Sequence, residues 1–247
     1  HYVEAFNQDD AEDIVNHIPN AESWQWMVDN IPFFECPDSK FEQTYYYRWW
    51  TFRKHIKQTP QGFVLTEFIT PVGHAGIYNT ISCALGHHIM EGRWIKQKQY
   101  LDEYILFWFR GNNNGAQPHF QKFSSWVPAA LYQRYLVDGN RTFVVDLLPY
   151  LVFHYRQWER DKLLDSGLFW QYDVRDGMEE SISGARKKKN SRPTINSYMV
   201  ANAQAISAVA SMAGKDDINQ TYQSKAENLK KLLLQNLWDE QAGFFKV

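Results

Sequence analysis

The sequence has few cysteines, little net charge and no long hydrophobic run. Its two cysteines, Cys36 and Cys83, are too few to predict a disulfide framework. Lys and Arg together number 26 and Asp and Glu 28, so the net charge is −2 and favours neither a nucleic-acid nor an anionic-membrane partner. Because no stretch of about 18 apolar residues occurs, no transmembrane helix is predicted.

Recognisable metal motifs are also missing. The chain contains no HExxH and no CxxC motif, and we expect neither a metal nor another cofactor. Cys83 and His87 are four residues apart, which would place a thiol and an imidazole on one helical face. Zinc enzymes built on helical toroids use such ligands. A zinc-dependent toroid enzyme using Cys83 and His87 is therefore the less favoured alternative.

Aromatic residues are abundant, with 10 Trp, 14 Tyr and 16 Phe making up 16% of the chain. A large aromatic core is one interpretation. A carbohydrate site is the other, because aromatic faces offer apolar surface and a quadrupole to the C–H groups of a sugar ring.

The chain divides into a polar leading segment and a helical remainder. Residues 1–40 are predicted as a short, mostly non-helical segment or a linker from a preceding domain, with at most one short helix near 20–30. Residues 59–78 are predicted as a loop or a short strand pair, and 111–118 as a loop. The predicted helices are 41–57, 80–95, 98–110, 124–138, 141–160, 194–214 and 218–239.

Local signals place several helix ends. Gly139-Asn140 is predicted to join two helices, and Pro149 to kink its helix unless it lies near a helix start. Gly214 is a predicted C-cap and Asp217 a predicted N-cap.

The helices recur in pairs, which predicts an all-α fold. A helix rich in small or aromatic residues is followed three times by a polar turn and a long amphipathic helix. Such hairpins are typical of an α/α toroid, with the first helix of each pair on an inner ring and the second on an outer ring. Seven helices are fewer than a closed barrel of six hairpins needs, and the chain starts at His1 and stops on an apolar run. We therefore expect 41–247 to be the N-terminal part of an (α/α)₆ catalytic domain.

The long segment 170–198 is the strongest candidate for a functional site. A connection of about 30 residues within a compact domain is usually functional or disordered. WQYDVRDGMEESISG (170–184) mixes aromatic residues, carboxylates, Arg and Gly, unlike a disordered segment. Asp173, Arg175 and Asp176 could equally form a structural ion-pair network. ARKKKNSR (185–192) is predicted to be a mobile, solvated rim.

Three stretches resemble a known family of enzymes. GLFWQYDVRDGMEESISG (167–184), the helical segment 123–160 and LLLQNLWDEQAGFFKV (232–247) resemble the (α/α)₆-toroid glycoside hydrolases of the trehalase and processing α-glucosidase type, families 37 and 63, and family 142-like relatives. The resemblance covers about residues 41–247.

The resemblance implies a glycoside hydrolase using general acid catalysis. Those families carry a G-W/M-D-x-S segment whose Asp is the acid, and Gly177-Met178-Glu179-Glu180-Ser181 resembles it with Glu179 at that position. Asp176 is the alternative acid. Hydrolysis needs a second carboxylate, which in those families lies late in the barrel. We therefore expect the partner carboxylate, and the rest of the barrel, beyond Val247, and we expect this chain alone to be inactive.

Other side chains on the predicted helices and loops are candidate sugar contacts. For Trp49, Arg53 and Trp126, a packing or ion-pair role is an equal alternative. The candidate substrate-binding residues are Trp49, Arg53, His87, His88, Glu91, Trp126, Tyr172, Asp173, Arg175, Glu180, Asn196 and Tyr198.

The expected partner is a carbohydrate substrate. A non-catalytic sugar-binding or scaffold toroid is the main alternative, because richness in aromatic residues suits it equally. The carboxylate-rich loop distinguishes the two, since a protein without catalysis need not keep it. We expect a secreted or periplasmic protein, with a cytoplasmic location as the open alternative.

Overall fold

The structure is a computed structural model that describes residues 1–177 and 186–246. Helices dominate it, and its strands form three two-stranded antiparallel pairs in the described residues. Within those residues, no helix combines the length and apolarity needed to cross a membrane. The chain forms two compact units, which are described separately: residues 1–84 with 91–118, and residues 85–90 with 119–247.

The first unit contains helix α3 (Ser39–His55) and an antiparallel hairpin. Phe63 N in strand β2 (Gly62–Leu65) donates to Glu103 Oε2 in helix α5 (Gln99–Arg110) at 2.7 Å, which links the hairpin to α5. Its elements are α1 (Tyr2–Gln8), α2 (Ser23–Asn30), α3 (Ser39–His55), β1 (Ile56–Thr59), β2 (Gly62–Leu65) and α5 (Gln99–Arg110), with 3-10 turns at Asn20–Glu22 and Ile77–Asn79. Helix α4 (Ser82–Gly92) contributes residues to both units.

Helix α1 lies in the leading segment, where at most one short helix near 20–30 was predicted. Its Val3 and Phe6 are buried, and the Phe6 ring lies 5.8 Å from that of Trp50 in α3. A helix of seven residues is too short to reveal its period in the sequence, so the interpretation of this segment as mostly non-helical was wrong at this point.

The second unit contains two long packed helices and the carboxylate-rich segment. Helix α9 (Pro193–Met212) packs closely against its neighbours α10 (Asp216–Leu237) and α6 (Val127–Asp138). Its buried Ala203, Ala205 and Ala210 are small enough to permit this. Its elements are α6 (Val127–Asp138), α7 (Arg141–Asp146), α8 (Leu148–Lys162), β3 (Trp170–Gln171), β4 (Asn190–Ser191), α9 (Pro193–Met212), α10 (Asp216–Leu237), β5 (Trp238–Asp239) and β6 (Phe244–Phe245), with a 3-10 turn at Asp173–Arg175.

Some helix ends in this unit follow the predicted signals and others do not. The C-cap of α9 is Ala213, and Gly214, the predicted C-cap, follows it at φ 65°. Gly139 closes α6 in the left-handed conformation at φ 66°, and Asn140 Oδ1 accepts from Phe143 N at 3.1 Å to cap α7. The predicted helix 141–160 is two helices, and Pro149 lies in the first turn of the second, where it costs no hydrogen bond. Asp217 is not an N-cap, because α10 begins at Asp216 and Asp217 lies in its first turn.

A buried histidine in α8 makes the stability of this unit depend on pH. His154 Nε2 accepts from Trp158 Nε1 at 3.2 Å, and Nδ1 lies 3.1 Å from Gln121 Nε2. Burial lowers the pKa of His154 from 6.5 to about 3. The unfolded chain therefore binds a proton below pH 6.5 that the folded chain does not bind until about pH 3.

We expect the free energy of unfolding to fall as the pH decreases below 6.5, by about 1.4 kcal/mol per pH unit for this one group. His154→Gln should flatten that slope between about pH 6.5 and 5. Urea titrations across this pH window measure the free energy of unfolding. The value of each protein at pH 7 serves as its own reference. An unchanged slope in the variant would rule out His154 as the titrating group.

Candidate active site

A two-stranded pair holds together both ends of the carboxylate-rich loop. Trp170 pairs with Ser191 and Gln171 with Asn190, so β3 and β4 close a loop between residues 172 and 189. Asn196, in the first turn of α9, hydrogen-bonds the backbone on both sides of this strand pair. Its Oδ1 accepts from Phe169 N, and its Nδ2 donates to Phe169 O and Arg192 O, each at 2.8 Å. The loop therefore leaves and rejoins the fold at a fixed base.

Arg192 anchors the first half of the loop through two buried ion pairs. Its Nε lies 2.9 Å from Asp176 Oδ2, and its Nη1 pairs with Asp173 Oδ1. Ser124 Oγ donates to Asp176 Oδ1, and Asn190 Nδ2 lies 3.5 Å from Asp173 Oδ1. The ion-pair network considered for Asp173 and Asp176 is thus present, with Arg192 as its cation.

Burial raises the pKa of Asp176, although its hydrogen bonds from Ser124 and Arg192 favour the charged form. Two carboxylates share one guanidinium in this cluster, and neither carboxylate has appreciable exposed surface. Loss of Arg192 would destabilise such a cluster, because a buried charge that loses a partner is costly. The network therefore fixes the backbone up to Gly177, two residues before the predicted acid.

Arg175 has a different role from its neighbours. Its carbonyl accepts from Ser124 N at 2.9 Å, while its guanidinium lies over the Tyr172 ring at 5.3 Å. Tyr172 in turn meets the edge of Trp170 at 5.1 Å. Tyr172 and Arg175, two of the predicted sugar contacts, thus lie side by side next to the network.

Three other predicted contacts come together in the second unit. Trp126 precedes α6, with the His87 ring 5.3 Å away at 81° and the Tyr198 ring 6.2 Å away at 35°. His87 is exposed, and Trp126 and Tyr198 are partly exposed. Trp126 Nε1 is buried and has no hydrogen-bond partner among the residues described. This aromatic cluster, defined by His87, Trp126 and Tyr198, has the amphipathic surface of a sugar platform.

Gly86 permits the close approach of Trp126. A Cβ on Gly86 would lie 2.8 Å from Trp126 Cε2 and 2.9 Å from its Nε1. Gly86→Ala would ordinarily stabilise a helix by about 1 kcal/mol. Here we expect it to destabilise the protein by about 1–3 kcal/mol, because the indole must move. Thermal unfolding measures this, and Gly73→Ala, where a Cβ meets nothing within 4 Å, is the control. A stabilised Gly86→Ala protein would contradict the packing.

The candidates in the first unit mostly have structural partners. Trp49 is buried between the Tyr45 and Phe52 rings at 6.3 and 5.6 Å. Arg48 forms two hydrogen bonds with Glu91, at 2.8 and 3.0 Å.

Arg53 is also buried. It donates to Ile18 O at 2.6 Å and to Asn20 Oδ1, and burial lowers its pKa to about 10. His88, on α4, is half-buried. The sugar-contact role of Trp49, Arg53, His88 and Glu91 stays a prediction.

The favoured acid lies outside the described residues, and so does Glu180. Sequence reasoning missed Arg192, since it assigned 185–192 to a mobile rim. In the described part of that range, residues 186–189 are exposed while Arg192 is buried. Arg192 stands immediately before Pro193, and a proline at this point marks the start of a helix rather than a loop. That position could have identified Arg192 from the sequence. Within the described ranges, no group of three or more His, Cys, Asp or Glu side chains could hold a metal.

Comparisons with known proteins show which family the chain resembles. The family model for the mannosylglycerate hydrolase MGH1-like glycoside hydrolase domain matches residues 77–247. A solved structure named "Sialidase" is similar over 100% of this chain, with 49% identity and a TM-score of 0.97, and the chain spans 23% of that protein's length. The all-α, toroid-type glycosidase fold predicted from the sequence is confirmed. The finer assignment to family 37, 63 or 142 stays a prediction.

Proposed function

Because the chain belongs to the mannosylglycerate hydrolase MGH1-like glycoside hydrolase domain family, we propose that it supplies the general acid of a glycosidase. The observation that carries this is the anchored loop. Arg192 bonds both Asp173 and Asp176, and β3 pairs with β4, so the segment entering Gly177 has a defined position. A general acid must be held within hydrogen-bond reach of the glycosidic oxygen, and a loop fixed at its base suits that demand.

Glu179 is the favoured acid and Asp176 the alternative. The Asp176 side chain is fully buried, and its two oxygens accept from Ser124 and Arg192. A carboxyl that is fully buried and bonded in this way is not accessible to a substrate. Glu179 comes two residues after Gly177, whose φ of 73° lies in the left-handed region that favours glycine. This geometry supports a division of labour in which Asp176 positions the loop and Glu179 protonates the leaving group.

The aromatic cluster is proposed as part of the sugar-binding surface. It lies in the same unit as the loop, with Tyr198 on α9, the helix that begins next to Arg192. The partly exposed Tyr198 and Trp126 rings offer apolar faces to a sugar. Tyr172 and Arg175, which lie next to the ion-pair network, are proposed as further sugar contacts.

The second carboxylate is proposed to lie outside these 247 residues, as the family resemblance implies. Activity is therefore to be tested in the full-length protein. A screen against aryl glycosides is the direct experiment, and it includes mannosylglycerate and sialic acid glycosides because the two matches carry the words mannosylglycerate hydrolase and sialidase. Hydrolysis of at least one substrate supports the proposal. Sugar binding with no hydrolysis of any substrate would instead support the non-catalytic toroid.

A further inference from the structure

An open cavity of about 430 Å³ lies beside the anchored loop. Its volume falls in the range of about 300–1,000 Å³ that small-molecule sites occupy. Among its lining residues, His119, Arg160 and Asp161 are exposed, whereas Lys162 is buried. The lining residues are His119, Gln121, Lys122, Arg160, Asp161, Lys162 and Arg175.

The lining carries an excess of positive charge. Lys122, Arg160, Lys162 and Arg175 contribute four cations. Among the described residues that line the cavity, Asp161 is the one carboxylate, and it is paired with Arg160 at 2.7 Å. Within this described lining, the positive charges of Lys122, Lys162 and Arg175 therefore outnumber the negative charge of Asp161.

Lys162 is the most constrained of these cations. Its Nζ lies 3.7 Å from the centre of the Trp170 ring and 3.3 Å from Gln171 Oε1. Lys189 Nζ lies 4.4 Å from the centre of the same Trp170 ring. Burial, together with the charges of Arg175 and Lys189, lowers the pKa of Lys162 to about 8. A positive field of this kind attracts an anion into the cavity.

Arg175 is oriented for recognition of an oxyanion. Its guanidinium lies over the Tyr172 ring, a contact that uses the face of the group. The N–H groups at the edge of a guanidinium remain available when its face is stacked, and they match two oxygens of a carboxylate or sulfate.

We infer that this cavity binds the anionic oxygen group of a negatively charged sugar unit, either a carboxylate or a sulfate ester. Arg175 forms the bidentate contact, and Lys162 and Lys122 neutralise the charge. The identity of the ligand as a sugar rests on the proposed glycosidase function, because the cavity adjoins the loop assigned to the acid. The glycan cleaved by the protein would then carry an acidic substituent near the scissile bond.

The test is direct titration calorimetry on the full-length protein with glucuronate, glucose 6-sulfate, glucose and inorganic sulfate. We expect saturable binding of at least one anionic sugar and none of glucose. Arg175→Gln and Lys162→Met should each weaken that binding about tenfold or more. Lys188→Gln removes an equal charge from an exposed position outside the cavity and should change nothing. Thermal unfolding of each variant checks that the fold is kept.

The two anionic sugars distinguish a carboxylate site from a sulfate site. Equal binding of glucose, or unchanged affinity in both cavity variants, would overturn the inference. Binding of inorganic sulfate without either sugar would also overturn it. Glu179→Gln should still bind the anionic sugar, so loss of hydrolysis with binding retained separates this inference from the acid assignment.

Discussion

Glu179→Gln in the full-length protein is expected to lower kcat by about 10²–10⁴, the usual contribution of a general acid. Gln keeps the shape of Glu but carries no acidic proton, so sugar binding should remain. The loss should be largest for substrates with poor leaving groups, because these need protonation of the glycosidic oxygen most. Steady-state kinetics on aryl glycosides of graded leaving-group pKa measure both effects.

Asp176→Asn is the companion variant that distinguishes acid from anchor. Asn keeps acceptor capacity towards Ser124 but loses the charge that pairs with Arg192. We expect it to lower stability while keeping the dependence on leaving group of the unmodified protein. If Glu179→Gln is fully active and Asp176→Asn is inactive with a strong leaving-group dependence, Asp176 is the acid. If both variants keep full activity, the acid lies elsewhere.

Arg192→Met is expected to destabilise the protein by about 3–5 kcal/mol, the cost of removing one partner from a buried ion pair. The variant removes the guanidinium that the buried Asp173 and Asp176 share. Met is similar in length and keeps much of the packing of the side chain. Urea denaturation gives the free energy of unfolding, and it should be measured near pH 7, where an ordinary carboxyl is ionised.

Two further proteins test the physical reason for that loss. Arg160→Met removes an exposed arginine with its own neighbouring partner, Asp161, and should change stability little. Adding Asp173→Asn and Asp176→Asn to Arg192→Met removes the two buried charges that Arg192 pairs with and should recover part of the stability. A loss no greater than that of Arg160→Met would contradict the anchoring role of Arg192.

The helical architecture could be predicted because its signals are local. The Gly139-Asn140 junction depends on the left-handed backbone conformation that glycine permits, and the position of Pro149 depends on its missing N–H. Both properties belong to the residue type and can be recognised in the sequence. Helix α1 could not, since seven residues give too few turns to show a period. Its stability depends on burial of Val3 and Phe6, which is tertiary information.

The residue types of the candidate site could be predicted from the sequence, but the ion pairs between them could not. The carboxylates of 170–184 identified the loop, yet nothing in their order shows that Asp173 and Asp176 share Arg192, 16 or more residues away. The basic run concealed this residue, because the sequence does not show that Arg192 is buried while residues 186–189 are exposed. Asn196 shows the same limit, since its amide bonds the backbone of Phe169, 27 residues earlier.

The most direct test of the central claim is the structure of full-length Glu179→Gln bound to an uncleaved substrate. The account predicts that the side-chain amide at position 179 lies about 2.6–3.2 Å from the glycosidic oxygen, the reach of a general acid. Asp176 should stay bonded to Arg192 and away from the sugar. A substrate whose glycosidic oxygen meets Asp176, or a different carboxylate, with position 179 outside hydrogen-bond reach, would contradict it.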